Sequence, residues 1–208
     1  MKILLFADTH SLLRNRIKQV LAKNISNPEF GEMISITEIF SEAGKKWDIL
    51  ILDINLSGRS GFEILKMLRE EKKDIPVLVM GTQPEMQMAI RMLKSGASGY
   101  LPYDSPETEL LNAVFLVSER KKYIPLPVVQ QLFDKTTNPG NRASHELMSN
   151  REFEIFLLIT SGKTILEIAA AFSLEIPVVI AYHTGIFKKT GLKTNEELVN
   201  YAIRCNLI

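Results

Sequence analysis

At 208 residues the chain is long enough for a medium domain and a small one, and its 46% hydrophobic and 24% charged residues are the composition of folded domains, which excludes long disorder. Twenty-five Lys and Arg balance 24 Asp and Glu, a formal net charge of +1, so no global field draws the chain onto nucleic acid or a membrane. The single Cys205 excludes an internal disulfide, and His10, His145 and His183 lack metal-ligand spacing, which together suit a reducing cytoplasm.

Lys2 to Ala7 is an apolar run too short for a signal peptide or a membrane span, and it reads as a strand ended by Asp8. A helix follows from about Leu12 to Lys23, with Leu13, Ile17, Val20 and Leu21 on one face. The alternation continues with a strand over Met33 to Ile36, a helix near Glu38 to Ala43, the strand Ile49 to Asp53 and a helix from Phe62 to Glu70. It then gives a strand over Ile75 to Met80, a helix over Glu85 to Lys94, a strand over Gly99 to Leu101 and a helix over Glu107 to Glu119. This βα rhythm predicts an α/β domain over residues 1–122, a five-stranded parallel sheet with helices on both faces.

Residues 123–146 read as a linker, with a short helix near Val128 to Asp134 and a loop by composition over Thr136 to Asn141. Residues 147–208 carry an all-helical, four-helix pattern. Ser149 caps a helix with Glu152 three residues on, and Ser161-Gly162 stops it. Thr164 caps a short helix from Ile165 to Ala171, a turn runs through Ser173 to Ile176, and a second helix starts at Pro177. Two helices joined by a tight turn predict a helix-turn-helix, and Glu196 to Arg204 closes the bundle.

Asp53 is the acid best placed for chemistry, because it ends the apolar run Ile49 to Leu52 just before the turn-rich stretch from Asn55 to Gly61. In a flavodoxin-like strand order Asp8 and Asp53 face each other across the switch point, where both carboxylates and the Asn55 carbonyl would supply oxygens to Mg²⁺. The alternative is that Asp53 only ends a strand and starts a turn. A phosphatase-type enzyme is disfavoured, since the next inward-facing position is Asn55 and offers no general acid. The chain is therefore expected not to be an enzyme.

Several motifs in order carry a resemblance that covers essentially the whole chain: Leu52-Asp53-Ile54-Asn55 with Gly58 and Gly61, then Lys94-Ser95-Gly96-Ala97 before Gly99-Tyr100-Leu101, Asn150-Arg151-Glu152, Glu167-Ile168-Ala169, and Lys188-Lys189-Thr190-Gly191-Leu192. The sequence resembles the NarL/FixJ group of two-component response regulators, with a receiver domain and a LuxR-type DNA-binding domain. The resemblance implies phosphate accepted on Asp53, Mg²⁺ beside it, a sensor histidine kinase as donor, and a homodimer on double-stranded promoter DNA.

The chain departs from the family's receiver pattern at Thr9, where a second carboxylate is usual, at Gly81, where a hydroxyl is usual with Thr82 one place late, and at Tyr103, where a Lys is usual. Losing a carboxylate, a hydroxyl and an ammonium weakens Mg²⁺ binding and the stabilisation of a transferred phosphoryl group. The expectation is a degenerate receiver with weak phosphorylation control or none; conventional phosphorylation control is the alternative. In residues 147–208 six basic side chains meet six acidic ones, so non-specific affinity for DNA should be weak. On the second helix of the helix-turn-helix, Ile180 and Ala181 would meet thymine methyl groups while Tyr182, Thr184, Lys188 and Lys189 hold phosphates. The competing reading is an interaction module, with Ile180 and Ala181 facing a protein partner.

Overall fold

An apolar run buried on both faces belongs in the middle of a parallel sheet, and Ile49–Asp53 takes that place. The computed structural model describes residues 1–6, 11–33, 38, 46–54, 61–71, 74–81, 86–130 and 143–208. The first unit contains β1 (Lys2–Phe6), α1 (Ser11–Asn24), β2 (Glu29–Met33), β3 (Ile49–Asp53), α2 (Gly61–Glu70), β4 (Val77–Gly81), α3 (Met86–Lys94), β5 (Gly99–Pro102) and α4 (Glu107–Ser118). All four strand pairings are parallel, and the order β2-β1-β3-β4-β5 is the flavodoxin-like one. Every residue of β3 and β4 is buried, which explains their unbroken apolar sequence. Ile3 and Leu5 of β1, Ile51, Leu78, Met80 and Leu101 form one face of the core against Ile17, Val20 and Leu21 of α1 and Leu110, Ala113, Val114 and Val117 of α4.

One strand lies elsewhere than expected. β2 is Glu29–Met33, which begins before the expected Met33, and it pairs with β1 from Lys2↔Glu29 to Phe6↔Met33; residues 34–36 of the expected strand lie outside the described residues. An edge strand needs only one apolar face, so its sequence is not an apolar run. Gly31 is required there because a Cβ would strike the Trp47 ring and approach Leu4 Cδ1 to 2.9 Å. The helix expected near Glu38 to Ala43, beyond Glu38 itself, lies outside the described residues, as do Thr136 to Asn141.

The chain divides into two compact units, parting between Val129 and Gln130. The first runs past Lys122, since Tyr123 bridges Gly99 and Val128 is buried. Backbone at 126–130 is helical, beginning before the Val128 expected from sequence.

The second unit holds a 3₁₀ turn (Ser144–Leu147), α5 (Asn150–Thr160), α6 (Ile165–Phe172), α7 (Ile176–Thr190) and α8 (Asn195–Arg204). Ser149, Thr164 and Thr194 each accept from the backbone of a glutamate three residues on, and that glutamate reaches back in turn, so capping boxes start α5, α6 and α8. Ser173 adopts a left-handed conformation (φ 51°) at the end of α6, and α7 begins at once, at Ile176 with Pro177 in its first turn. The two helices bend by 113°, the geometry of a helix-turn-helix.

The sheet's centre sets its stability. Replacing Leu52, fully buried on β3, with Ala should cost about 2–5 kcal/mol, seen as a lower urea midpoint at unchanged slope; an unchanged midpoint would contradict the core described.

Candidate functional site

β3 delivers Asp53 to the carboxyl edge of the sheet with only 2% of its surface exposed. A polar group so buried needs a partner, and the hydroxyl of Tyr103 donates a hydrogen bond to Asp53 Oδ1. The ring comes from just past β5, so it spans β4 to reach the end of β3. Its backbone is fixed as well: Tyr103 N–H donates to the Gly81 carbonyl at 2.8 Å, and Arg16 Nη1 donates to the Tyr103 carbonyl at 2.8 Å. Arg16 Nη2 donates to the Ser105 carbonyl at 3.0 Å, so one guanidinium of α1 clamps the turn that carries Tyr103. Tyr103 is thus more than a missing lysine; it is the direct partner of the carboxyl group.

Gly81 ends β4, and a Cβ there would lie 2.6 Å from the hydroxyl of Tyr100 and 3.1 Å from Ile54 Cγ2. Tyr100, buried on β5, already occupies the space a side chain at position 81 would need. A serine or threonine at that position requires the Tyr100 ring to move. The sheet edge is therefore closed by two tyrosines, one on Asp53 and one over Gly81.

Leu5, Leu13, Ile17, Ile51 and Met80 line a narrow crevice at Asp53 together with Arg14. Arg14 Nη1 pairs with Glu32 Oε2 at 3.0 Å, and Glu32 also pairs with Lys18. The Lys18 contact, and then Arg14, hold the Glu32 carboxyl below its usual range against the opposing effect of burial. Among these lining residues Asp53 is the one carboxylate, beside a cation and apolar groups, whereas a hard divalent cation wants several oxygens. The described part of the site is a poor match for Mg²⁺. Asp8, Thr9, Asn55 and Thr82 lie outside the described residues. Sequence reasoning passed over Arg14, Arg16 and Tyr100; an arginine one turn into the helix after β1 was the available signal for the first two.

In the second unit Ile180, Ala181, Thr184 and Lys188 are exposed on α7, and Tyr182 is half-buried. Lys189 is engaged elsewhere: its Nζ lies 2.5 Å from Glu152 Oε2, the carboxylate of the α5 capping box. Burial raises the Glu152 pKa, but the Lys189 contact and the Ser149 backbone and side-chain bonds outweigh it, leaving the group below its ordinary value. Lys189 therefore ties α7 to α5, and of the two lysines expected to hold phosphates Lys188 is the more exposed.

The response regulator receiver domain family matches residues 4–115, more than half of the chain, and the chain belongs to that family. It is a two-component response regulator of the NarL/FixJ type, in the LuxR-type group of transcription regulators. It is 29% identical over 206 residues to the response regulator GacA of Pseudomonas viridiflava, covering 98% of this chain and 96% of that protein. It is 28% identical over 221 residues to the oxygen regulatory protein NreC of Staphylococcus epidermidis, covering 100% and 99%. Among solved structures, RcsB of Salmonella enterica serovar Typhimurium, bound to promoter rprA in the presence of a phosphomimetic, matches with a TM-score of 0.65 at 18% identity, over 97% of this chain and 98% of that one. The fold is shared through both units.

A depressed carboxyl stabilises the fold above its unfolded-state pKa, near 4.5, and loses that contribution as pH falls through the folded value. Lys189→Met should therefore cost about 1–3 kcal/mol near neutral pH and flatten the loss of stability below pH ~4.5, read from urea midpoints across pH.

Proposed function

We propose that this response regulator is a DNA-binding transcriptional regulator whose receiver is weakly controlled, or not controlled, by phosphorylation at Asp53. One observation carries the reading: the Tyr103 hydroxyl donates a hydrogen bond to Asp53 Oδ1, one of the two oxygens of the acceptor carboxyl group. The phenol draws charge from the carboxylate, and freeing the group fully breaks a hydrogen bond to an acid worth about 1.5–3 kcal/mol, roughly a ten- to hundredfold handicap in rate. The turn that carries the ring resists, because Arg16 and Gly81 hold its backbone. Once transferred, the phosphoryl group would meet a neutral phenol where relatives of this type offer an ammonium, and Arg14, lining the crevice, is already paired with Glu32.

The receiver is then a scaffold that holds a dimer or a partner, and Mg²⁺ at Asp8, Asp53 and Asn55 is weak at best. The chain performs no catalysis of its own. Its partners are double-stranded promoter DNA, engaged through α7, and a second copy of itself. A sensor histidine kinase is a dispensable donor. Among the described residues no single helix is long and apolar enough to cross a membrane. We place the protein in the cytoplasm.

Incubation of the full-length chain with acetyl phosphate and Mg²⁺, followed by intact mass, tests the receiver. The native chain should gain phosphate at least tenfold more slowly than Tyr103→Lys, and its DNA affinity should not change. Phosphorylation of the native chain at the rate of the variant, with tighter DNA binding, would show a conventional switch. For the other unit, Lys188→Ala should weaken binding to duplex DNA and lower the salt slope by about one, with no change in melting temperature.

A further inference from the structure

Pro177, Ile180, Ala181, Thr184 and Lys188 recur three or four residues apart and are all exposed, so they share the open face of α7. The first part of that face is apolar, with Ile180 50% exposed and Val178 beside it at 38%. In a helix-turn-helix the amino-terminal residues of the second helix are those that reach base edges. Polar groups nearby are already engaged: Thr184 Oγ1 donates to the Ile180 carbonyl at 2.9 Å, and His183 Nε2 bonds Asn195 Oδ1 at 2.8 Å. What the tip of α7 offers a base edge is methyl and methylene surface. The apolar partner in the major groove is the C5-methyl of thymine. At the other end of the same face stands Lys188, a cation about 16 Å along the helix from Pro177, suited to the phosphate backbone. Apolar tip and cationic base together complement a DNA groove better than a uniformly apolar partner.

We propose that this helix reads its target through thymine methyl groups, with Ile180 and Ala181 as the specificity-determining residues and Val178 flanking them. The inference rests on the DNA-binding reading and gives it a chemical class of site: duplexes with thymines at fixed major-groove positions. Ile180 is the main reader because it presents the largest exposed apolar side chain on that face, and Ala181 admits a methyl group close to the backbone. Cytosine at such a position presents no methyl, so the same surface disfavours it.

The test uses the full-length chain and a library of random 20-base-pair duplexes, selected for binding at low salt. The recovered duplex is then made again with each fixed thymine replaced in turn by deoxyuridine, which removes the methyl and nothing else. Each informative replacement should weaken binding roughly fourfold, the worth of one buried methyl group. In Ile180→Ala, whose site is exposed and whose melting temperature should not change, the loss at one position should vanish. In Lys188→Ala the thymine and deoxyuridine duplexes should weaken together. Equal affinity for thymine and deoxyuridine duplexes would overturn methyl reading while leaving DNA binding intact. Recovery of no duplex at low salt would overturn both, and would return the apolar face of α7 to a protein partner.

Discussion

A carboxyl group at the end of an all-buried strand needs donors, and here the Tyr103 hydroxyl supplies one, to Asp53 Oδ1. Much of the carboxyl edge follows from this one contact. Tyr103 can hold Asp53 only if its own backbone is fixed, which the Gly81 carbonyl and Arg16 accomplish. Arg16 lies on α1 and bonds two carbonyls beyond β5, so the helix after the first strand and the turn after the last are joined. The neighbouring ring, Tyr100, is accommodated because Gly81 has no side chain. The departures from the family pattern at positions 81 and 103 thus answer to different neighbours, Gly81 to the Tyr100 ring and Tyr103 to Asp53. Restoring a hydroxyl side chain at 81 displaces Tyr100, and restoring a lysine at 103 exchanges the neutral phenol donor on Asp53 for a cation.

In the helical unit a cation is spent on structure in a comparable way. Lys189 meets Glu152, which also accepts from the backbone of Ser149. The capping carboxylate thus serves two helices, α5 by closing its first turn and α7 by pairing with its last. With six basic and six acidic side chains over residues 147–208, each such pairing lowers what is left for phosphates. Weak electrostatic attraction leaves more of the selectivity to contacts at the tip of α7, where the side chains are apolar.

The sequence displayed some of this plainly and hid the rest for physical reasons. β3 and β4 were legible because strands buried on both faces are continuous apolar runs, and α5 and α6 because their caps, Ser149 and Thr164, are local signals. β2 was not, since this edge strand is short, carries two glutamates and neither runs apolar nor alternates, and its glycine answers to Trp47, distant in sequence. Asp53 was found from its place at a strand end. Tyr103 was visible only as a substitution, because its bond to Asp53 spans 50 residues and crosses a strand. The Lys189 contact with Glu152 escaped for the same reason, at a separation of 37 residues. Spacing reports neighbours on one element and is silent about pairs that meet only when elements pack.

If the acceptor is held by the protein's own tyrosine, the response of this regulator has to enter by another route than aspartyl phosphate. The charge balance of the helical unit points to the form it takes. A single unit with little excess charge binds DNA weakly, whereas two linked units gain from effective concentration without any new contact. Occupancy of a promoter then depends on how much of the chain is dimeric, hence on its concentration and on any partner that holds or separates the receivers. An acceptor held by its own tyrosine suits that arrangement, because a receiver that is not asked to change shape can keep one dimer-forming surface at all times. On this reading Tyr103 occupies the acceptor that phosphate would use, and control passes from covalent modification to mass action.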